Sequence, residues 1–259
     1  MSNTAVITGA TSGLGAAYAK RFASDGYDLI LVGRRKDVIT GIADSLAVKN
    51  KIRAQVVIAD LSDDRGLQEV ISAVNSTPNV EVLINNAGYA ISKAFEEMDP
   101  SEYETMIKVH QLAPMRLISS VLPDMIKARQ GTIINVASIG AYMPVARSSI
   151  YNATKAFLQL FTEALHMELK NTGIRVQVLC PGFMDTDFYR FTTEKKKNSM
   201  SRVTQKIPLE EIVNYSLKSL KRNKVICIPG FSYKAICELS SVLPRNMVYS
   251  LMERSFKDF

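Results

Sequence analysis

Tyr151 and Lys155 stand four residues apart in Y-N-A-T-K. On a helix that spacing puts both side chains on one face. A free phenol titrates near pH 10, and a neighbouring ammonium favours the phenolate and lowers that value. Bringing it to about 7 takes roughly 4 kcal/mol of differential stabilisation, within reach of a close cation in a partly dry site. The pair is therefore a candidate acid–base unit. A solvated tyrosine and lysine on a helix are also common, so the pair gains weight only from its surroundings. Ser138, in the same stretch, adds a hydroxyl at the end of a strand expected over Thr132–Ala137.

The elements that must position this set begin at the amino terminus. Thr4–Thr8 is short, apolar and β-branched, and reads as a buried strand. T-G-A-T-S-G-L-G follows and opens a helix to about Ser24. Strand, glycine turn and helix together predict a dinucleotide site, with Gly9, Thr11, Ser12, Gly13, Leu14 and Gly15 as candidate contacts. Gly9 permits the tight turn, Gly13 the approach of a pyrophosphate, and Gly15 close helix packing. A second strand, Asp28–Val32, ends at Gly33-Arg34-Arg35. An acidic residue there would select the 2′-hydroxyl of NAD; two guanidiniums suit a 2′-phosphate and predict NADP(H). Asp60, with Leu61, follows a third strand over Arg53–Ala59. Asp60 is placed either to meet an adenine or to shape the turn, and Ser62 or Asp63 to cap the next helix. Asn86, Ala87 and Gly88 follow a fourth strand, Val80–Ile84, in N-N-A-G. Their small size suits close passage of a cofactor, or a plain turn.

A helical stretch runs from about Ser101 to Ala128, with a kink expected at Pro114. The loop from Ser138 to Tyr151 carries Gly140, Tyr142, Met143, Pro144 and Val145, candidate walls of a substrate pocket. The helix expected over Ser149–Asn171 is apolar around most of its girth, which implies burial on a second side, most simply against another subunit. A sixth strand, Arg175–Leu179, leads to Pro181 and Gly182. Strands and helices thus alternate without a linker or repeat. The expected fold is α/β, a Rossmann-type doubly wound parallel sheet forming one domain over residues 1–259. Residues 185–222 form a candidate substrate lid, including the basic run Lys195–Lys197. A helix from Glu210 and a short strand, Val225–Ile228, follow. An amphipathic extension over 231–259, broken at Pro244, could lie on a membrane surface, close the pocket or meet a partner subunit.

Composition narrows the classes. The formal charge is +7, but no Arg/Lys stripe interleaved with aromatics accompanies it, which argues against nucleic-acid binding and for an anionic substrate or surface. Three cysteines without a CxxC pair, and no visible signal peptide, imply reduced thiols and a cytoplasmic protein. Two histidines and no Cys/His cluster argue against a metal site.

In this order the motifs resemble those of the short-chain dehydrogenase/reductase family, over nearly the whole chain. T-G-A-T-S-G-L-G is similar to its cofactor turn, N-N-A-G to its central motif, Ser138 with Tyr151-x-x-x-Lys155 to its catalytic set, and P-G-F-M-D-T to its nicotinamide segment. Arg34 and Arg35 resemble NADP-preferring members. The resemblance implies that Tyr151 exchanges a proton with the carbonyl oxygen, that Ser138 hydrogen-bonds it, and that Lys155 lowers the tyrosine pKa and binds the nicotinamide ribose. It also implies that Thr186 and the backbone after Pro181 hold the carboxamide, that Asn86 and Gly88 line the cofactor, and that Asp60 meets the adenine. One position departs: His110 stands where the family usually has an asparagine supporting a water chain to the lysine. His110 is either a pH-sensitive member of that relay or a neutral packing residue. The expected activity is NADPH-dependent reduction of an apolar ketone, 3-oxoacyl or ketosteroid substrate. The alternatives are the oxidative direction and a non-catalytic NADP(H) sensor. A homodimer or homotetramer is expected.

Overall fold

The computed structural model describes residues 2–184 and 206–255. Seven strands lie in one parallel sheet, β1 (Thr4–Thr8), β2 (Asp28–Gly33), β3 (Ala54–Ile58), β4 (Val80–Asn85), β5 (Gly131–Val136), β6 (Ile174–Leu179) and β7 (Ile226–Cys227). Their spatial order is β3-β2-β1-β4-β5-β6-β7. The chain winds outward from β1 in one direction and then in the other. Between β1 and β4 the carboxyl ends of the strands open a crevice, the usual ligand position in such sheets.

Strand alternation divides the core into two layers. Ala5, Ile7, Leu29 and Leu31 point to one face, against Leu14, Tyr18 and Phe22 of α1 (Gly13–Ser24) and Ile39 and Leu46 of α2 (Lys36–Asn50). Val6, Ile30 and Val32 point to the other, against Leu67 and Val70 of α3 (Asp64–Asn75). Because both faces are covered, the central strands read as unbroken apolar runs.

The stretch expected to be one helix over 101–128 is divided. Helix α4 (Pro100–Ile107) runs into a π turn, Lys108–Leu112, and then α5 (Ala113–Ala128). The interruption expected at Pro114 takes this form: the Ala113 amide bonds back to the Lys108 carbonyl, and Pro114 sits in the first turn of α5, where its missing N–H costs little. The wide turn carries His110. Helix α6 (Ser149–Glu168) follows β5 and carries Tyr151 and Lys155. It ends three residues short of the expected Asn171, which has positive φ.

The carboxyl end adds α7 (Leu209–Lys221), α8 (Phe231–Val242) and α9 (Arg245–Ser255), with Pro208 just before α7 and Pro244 between α8 and α9. Helix α7 packs on α1, and a buried chain from the Tyr18 hydroxyl to Ser216 Oγ (2.8 Å) and on to Gln177 Oε1 (2.6 Å) ties α1, α7 and β6 together. Among the described residues no helix is long and apolar enough to cross a membrane, and no group of three His, Cys, Asp or Glu could hold a metal ion.

Candidate active site

The carboxyl ends of the strands enclose a cavity of about 430 Å³. At one end lies the glycine turn. Gly9 and Gly13 both have positive φ, so the turn needs residues that tolerate that conformation. A methyl group on Gly15 would stand 2.3 Å from the Gly9 carbonyl oxygen, so α1 enters closer to the turn than any side chain permits. Asn86 holds the turn from below: its amide donates to the carbonyls of Thr8 (2.9 Å) and Gly9 (3.2 Å). The Thr8 hydroxyl oxygen accepts from the amides of Asn86 and Ala87, each at 3.0 Å.

The two arginines stand at the rim. Arg35 donates to Thr11 Oγ1 (2.8 Å) and Ser12 Oγ (3.0 Å) and so leans over the glycine turn. Arg34 donates to Asp60 Oδ2 at 3.3 Å. Burial works against ionising Asp60, but hydrogen bonds from the Ser62 hydroxyl and amide and from Arg34 outweigh it and hold the carboxyl below its usual range. Asp60 thus shapes its own turn and orients Arg34 at once. Asp63, not Ser62, caps α3, accepting from the Gly66 amide at 2.9 Å.

The other end carries Ser138, Tyr151 and Lys155. A methyl built on Gly140 would lie 3.4 Å from both Ser138 Oγ and Tyr151 Cε1, so the two side chains flank one small volume. Ser138 Oγ accepts from the Gly140 amide at 3.0 Å, which leaves its own hydrogen to be donated elsewhere. Lys155 is buried and donates to the Val136 carbonyl at 2.9 Å, with Nζ 5.8 Å from the centre of the Tyr151 ring. Burial brings its pKa down to about 8. The lysine is therefore still mainly an ammonium at neutral pH, yet close to losing a proton.

His110 lies between these two ends and is fully enclosed. Nε2 accepts from the Tyr89 amide at 3.1 Å. Nδ1 stands 2.9 Å from Thr154 Oγ1, and that hydroxyl donates to the Tyr151 carbonyl at 2.8 Å. A methyl on Gly88 would fall 2.9 Å from His110 Nε2 and 3.5 Å from Lys155 Nζ. Burial, and then the Lys155 charge, push the imidazole pKa well below its ordinary value.

All the residues singled out from the glycine turn, the Arg34–Arg35 pair, Asp60, Leu61, Asn86, Ala87, Gly88, Ser138, Tyr151, Lys155, Pro181 and Gly182 border or support this one cavity, with Gly15 and His110 packed directly behind its wall. Thr186, most of the expected lid and its Lys195–Lys197 run lie outside the described residues. Met184, from the P-G-F-M-D-T segment, also lines the cavity, and so do Tyr89, Thr105 and Val109, which escaped the sequence reading. So did Thr154, although its place three residues after Tyr151 is the spacing at which a threonine hydroxyl reaches back to a helix carbonyl. Tyr142 and Met143 pack instead into a third apolar cluster with Ile139, Cys180, Tyr233 and Cys237. The first turn of α8 thereby closes the rear of the site: the Tyr233 ring lies where a side chain on Gly182 would be, 2.4 Å from a methyl built there.

A family model described as short chain dehydrogenase matches residues 3–197. The chain belongs to the short-chain dehydrogenase/reductase family of oxidoreductases. Sulfoacetaldehyde reductase 2 of Chromohalobacter salexigens is 34% identical over 82% of this chain and 86% of its own. Among solved structures, a short-chain dehydrogenase from Sphingobium yanoikuyae in complex with NADPH superposes with a TM-score of 0.82 at 30% identity, covering 94% of this chain and 97% of that one. A bulky-bulky ketone specific alcohol dehydrogenase from Comamonas testosteroni gives 0.79 at 30% identity, over 96% and 94%.

Proposed function

We propose that this protein is an NADPH-dependent reductase that converts an apolar ketone, of simple, 3-oxoacyl or ketosteroid type, into a secondary alcohol. The observation that carries the reading is one cavity with Arg34 and Arg35 at one end and Ser138, Tyr151 and Lys155 at the other. The cofactor fits the residues present. The glycine turn offers the α1 amides at a helix start, and the arginines offer two cations to a 2′-phosphate. The NADPH named for the Sphingobium structure and the bulky ketones named for the Comamonas enzyme support the same choice.

Bound NADPH supplies the hydride. Everything else falls to side chains of this chain. Tyr151 gives its phenolic proton to the substrate oxygen as negative charge develops there. Ser138, its oxygen already satisfied by the Gly140 amide, donates to the same oxygen. Lys155 favours the tyrosinate that remains, and Val136 fixes the ammonium in place. Arg34, oriented by Asp60, and Arg35, braced on Thr11 and Ser12, hold the adenosine phosphate. Run backwards, the same groups oxidise an alcohol, so the site serves either direction.

Consumption of NADPH and NADH with a panel of ketones, 3-oxoacyl thioesters and ketosteroids tests this reading. NADPH is expected to be preferred, and Tyr151→Phe is expected to lower turnover by about 10²–10⁴-fold. Preference for NADH would remove the role given to Arg34 and Arg35. Tight NADPH binding with no turnover of either ketones or alcohols would favour a sensor.

The reading extends to assembly. On α6, Leu160 is 70% and Met167 75% exposed, with Phe157 beside them. A second copy covering this face makes a homodimer or homotetramer of single-domain subunits. Sedimentation velocity is expected to show a species larger than one 28.7 kDa chain, and Leu160→Glu to shift it toward the monomer.

A further inference from the structure

We propose that His110 is a positioning residue, held as the neutral Nδ1–H tautomer, which clamps the loop after β4 to the first turn of α6 and carries no proton to Lys155. The proposal rests on the reductase reading for its kinetic consequences but not for the tautomer.

Donors and acceptors around the ring settle its hydrogens. The Tyr89 amide points its N–H at Nε2, so Nε2 is a lone pair. The Thr154 hydroxyl spends its hydrogen on the Tyr151 carbonyl and offers Nδ1 only an acceptor, so Nδ1 carries the proton. The chain of bonds therefore begins at one backbone amide and ends at one backbone carbonyl. Neither terminus exchanges protons during turnover, so the chain leads nowhere a catalytic proton can go. A second proton on the ring would have to sit on Nε2, directly facing the Tyr89 hydrogen.

The surroundings agree. The titratable groups brought to the ring are Tyr89 and Tyr151, whose rings meet it edge-on with centroids 5.7 and 6.0 Å away, and Lys155 beyond Gly88. Burial and the Lys155 charge both act against an imidazolium there. What the ring does supply is rigidity. It bonds the residue after Gly88, on the cofactor side, and the hydroxyl that grips the Tyr151 carbonyl, on the acid–base side. It lies on the π turn, whose extra width places a side chain where a regular helix would not.

The test uses the NADPH-bound enzyme carrying His166→Gln, which leaves His110 as the single imidazole, labelled with ¹⁵N. We expect a protonated Nδ1 and an unprotonated Nε2, unchanged between pH 7.5 and 5.5. A protonated Nε2, or a titration inside that window, overturns the proposal. This arm needs no turnover, so it stands even if every ketone fails. The kinetic arm compares His110→Leu, His110→Asn and Thr154→Val. Leucine keeps bulk but makes neither bond, and is expected to lower kcat by about tenfold or more through misplacement of Tyr151. An amide has both a donor and an acceptor, so asparagine is expected to restore most of that loss with the same pH profile. Thr154→Val is expected to reproduce the leucine defect, and the double variant to add little. If asparagine is as damaged as leucine, or if leucine has no effect, the clamp is wrong.

Discussion

Lys155 and His110 both face Gly88 and respond to burial in the same direction, since each loses affinity for its proton. For His110 this has a consequence for stability. The unfolded imidazole takes up a proton near pH 6.5, whereas the folded one resists until much lower pH. Below about pH 6.5 the unfolded state therefore binds more protons, and stability falls as the pH falls until the folded pKa is reached. Urea unfolding from pH 7 to 5 is expected to show this slope, and His110→Asn to flatten it. The arginines make a second residue-scale prediction. Charge-assisted bonds to a phosphate are worth about 1.5–3 kcal/mol, so Arg34→Ala with Arg35→Ala is expected to raise the KM for NADPH by about 10–100-fold or more and leave NADH nearly unchanged. Initial rates with both cofactors would show it. That Tyr151, Lys155, Ser138 and the arginines border one cavity was legible in the sequence, because their residue types and spacing stood out beside the expected strand ends. The bonds of His110 were not, because Tyr89 and Thr154 lie 21 and 44 residues away and meet it only in the fold.

Helix α6 carries Tyr151 and Lys155, and a buried polar ladder holds it on the sheet. Asn85 donates to Asn135 (2.9 Å), Asn135 to Thr162 (2.9 Å), and Thr162 back to the Leu158 carbonyl (2.5 Å). Removing the middle rung leaves the buried Asn85 amide without its acceptor and Thr162 with one bond in place of two. Asn135→Val is therefore expected to cost about 2–4 kcal/mol, measured as a lower urea midpoint with an unchanged slope. Most elements could be read in advance. The strands are short β-branched runs between glycine turns, and the six βα alternations leave little choice of topology. The π turn could not be read, because the apolar pattern passes from α4 into α5 without a visible break, and only backbone bonding distinguishes the wide turn. Nor was β7 legible at its observed length of two residues; it is held alongside β6, where the amide of Cys180, just past the strand, bonds the Cys227 carbonyl at 2.8 Å.

At the scale of the molecule, all three cysteines are buried and free. Burial raises the thiol of Cys237 to about 12 and that of Cys227 to about 11, and pushes Cys180 up as well. A thiol in the unfolded chain ionises at about 8.5, so above that pH the unfolded state binds fewer protons and stability declines with rising pH. Lys155 opposes this slope between about 8 and 10.5, as one group against three. The thermal midpoint is expected to fall from pH 8.5 to 10.5. A thiol reagent at pH 8 is expected to count three cysteines in denaturant and almost none in the native protein. The role of the tail was the least legible feature, since an amphipathic pattern states only that one side is covered. The structure shows one such cover: Tyr233 and Cys237 turn inward, while Phe231, Leu239 and Val242 remain outside.

Tyr233 resting on Gly182 makes the last described helices part of the floor of the site. Helix α8 and the segment beside Pro181 are then mechanically one piece, like a wedge and the beam it supports. A change in α8 is therefore expected to reach the cavity without touching the residues that line it. Shortening the chain before α8 would thus alter cofactor affinity as well as surface properties. Conversely, the exposed ridge of α8 is a place where substitutions can retune the outside of the protein while the inward tyrosine keeps the floor in place.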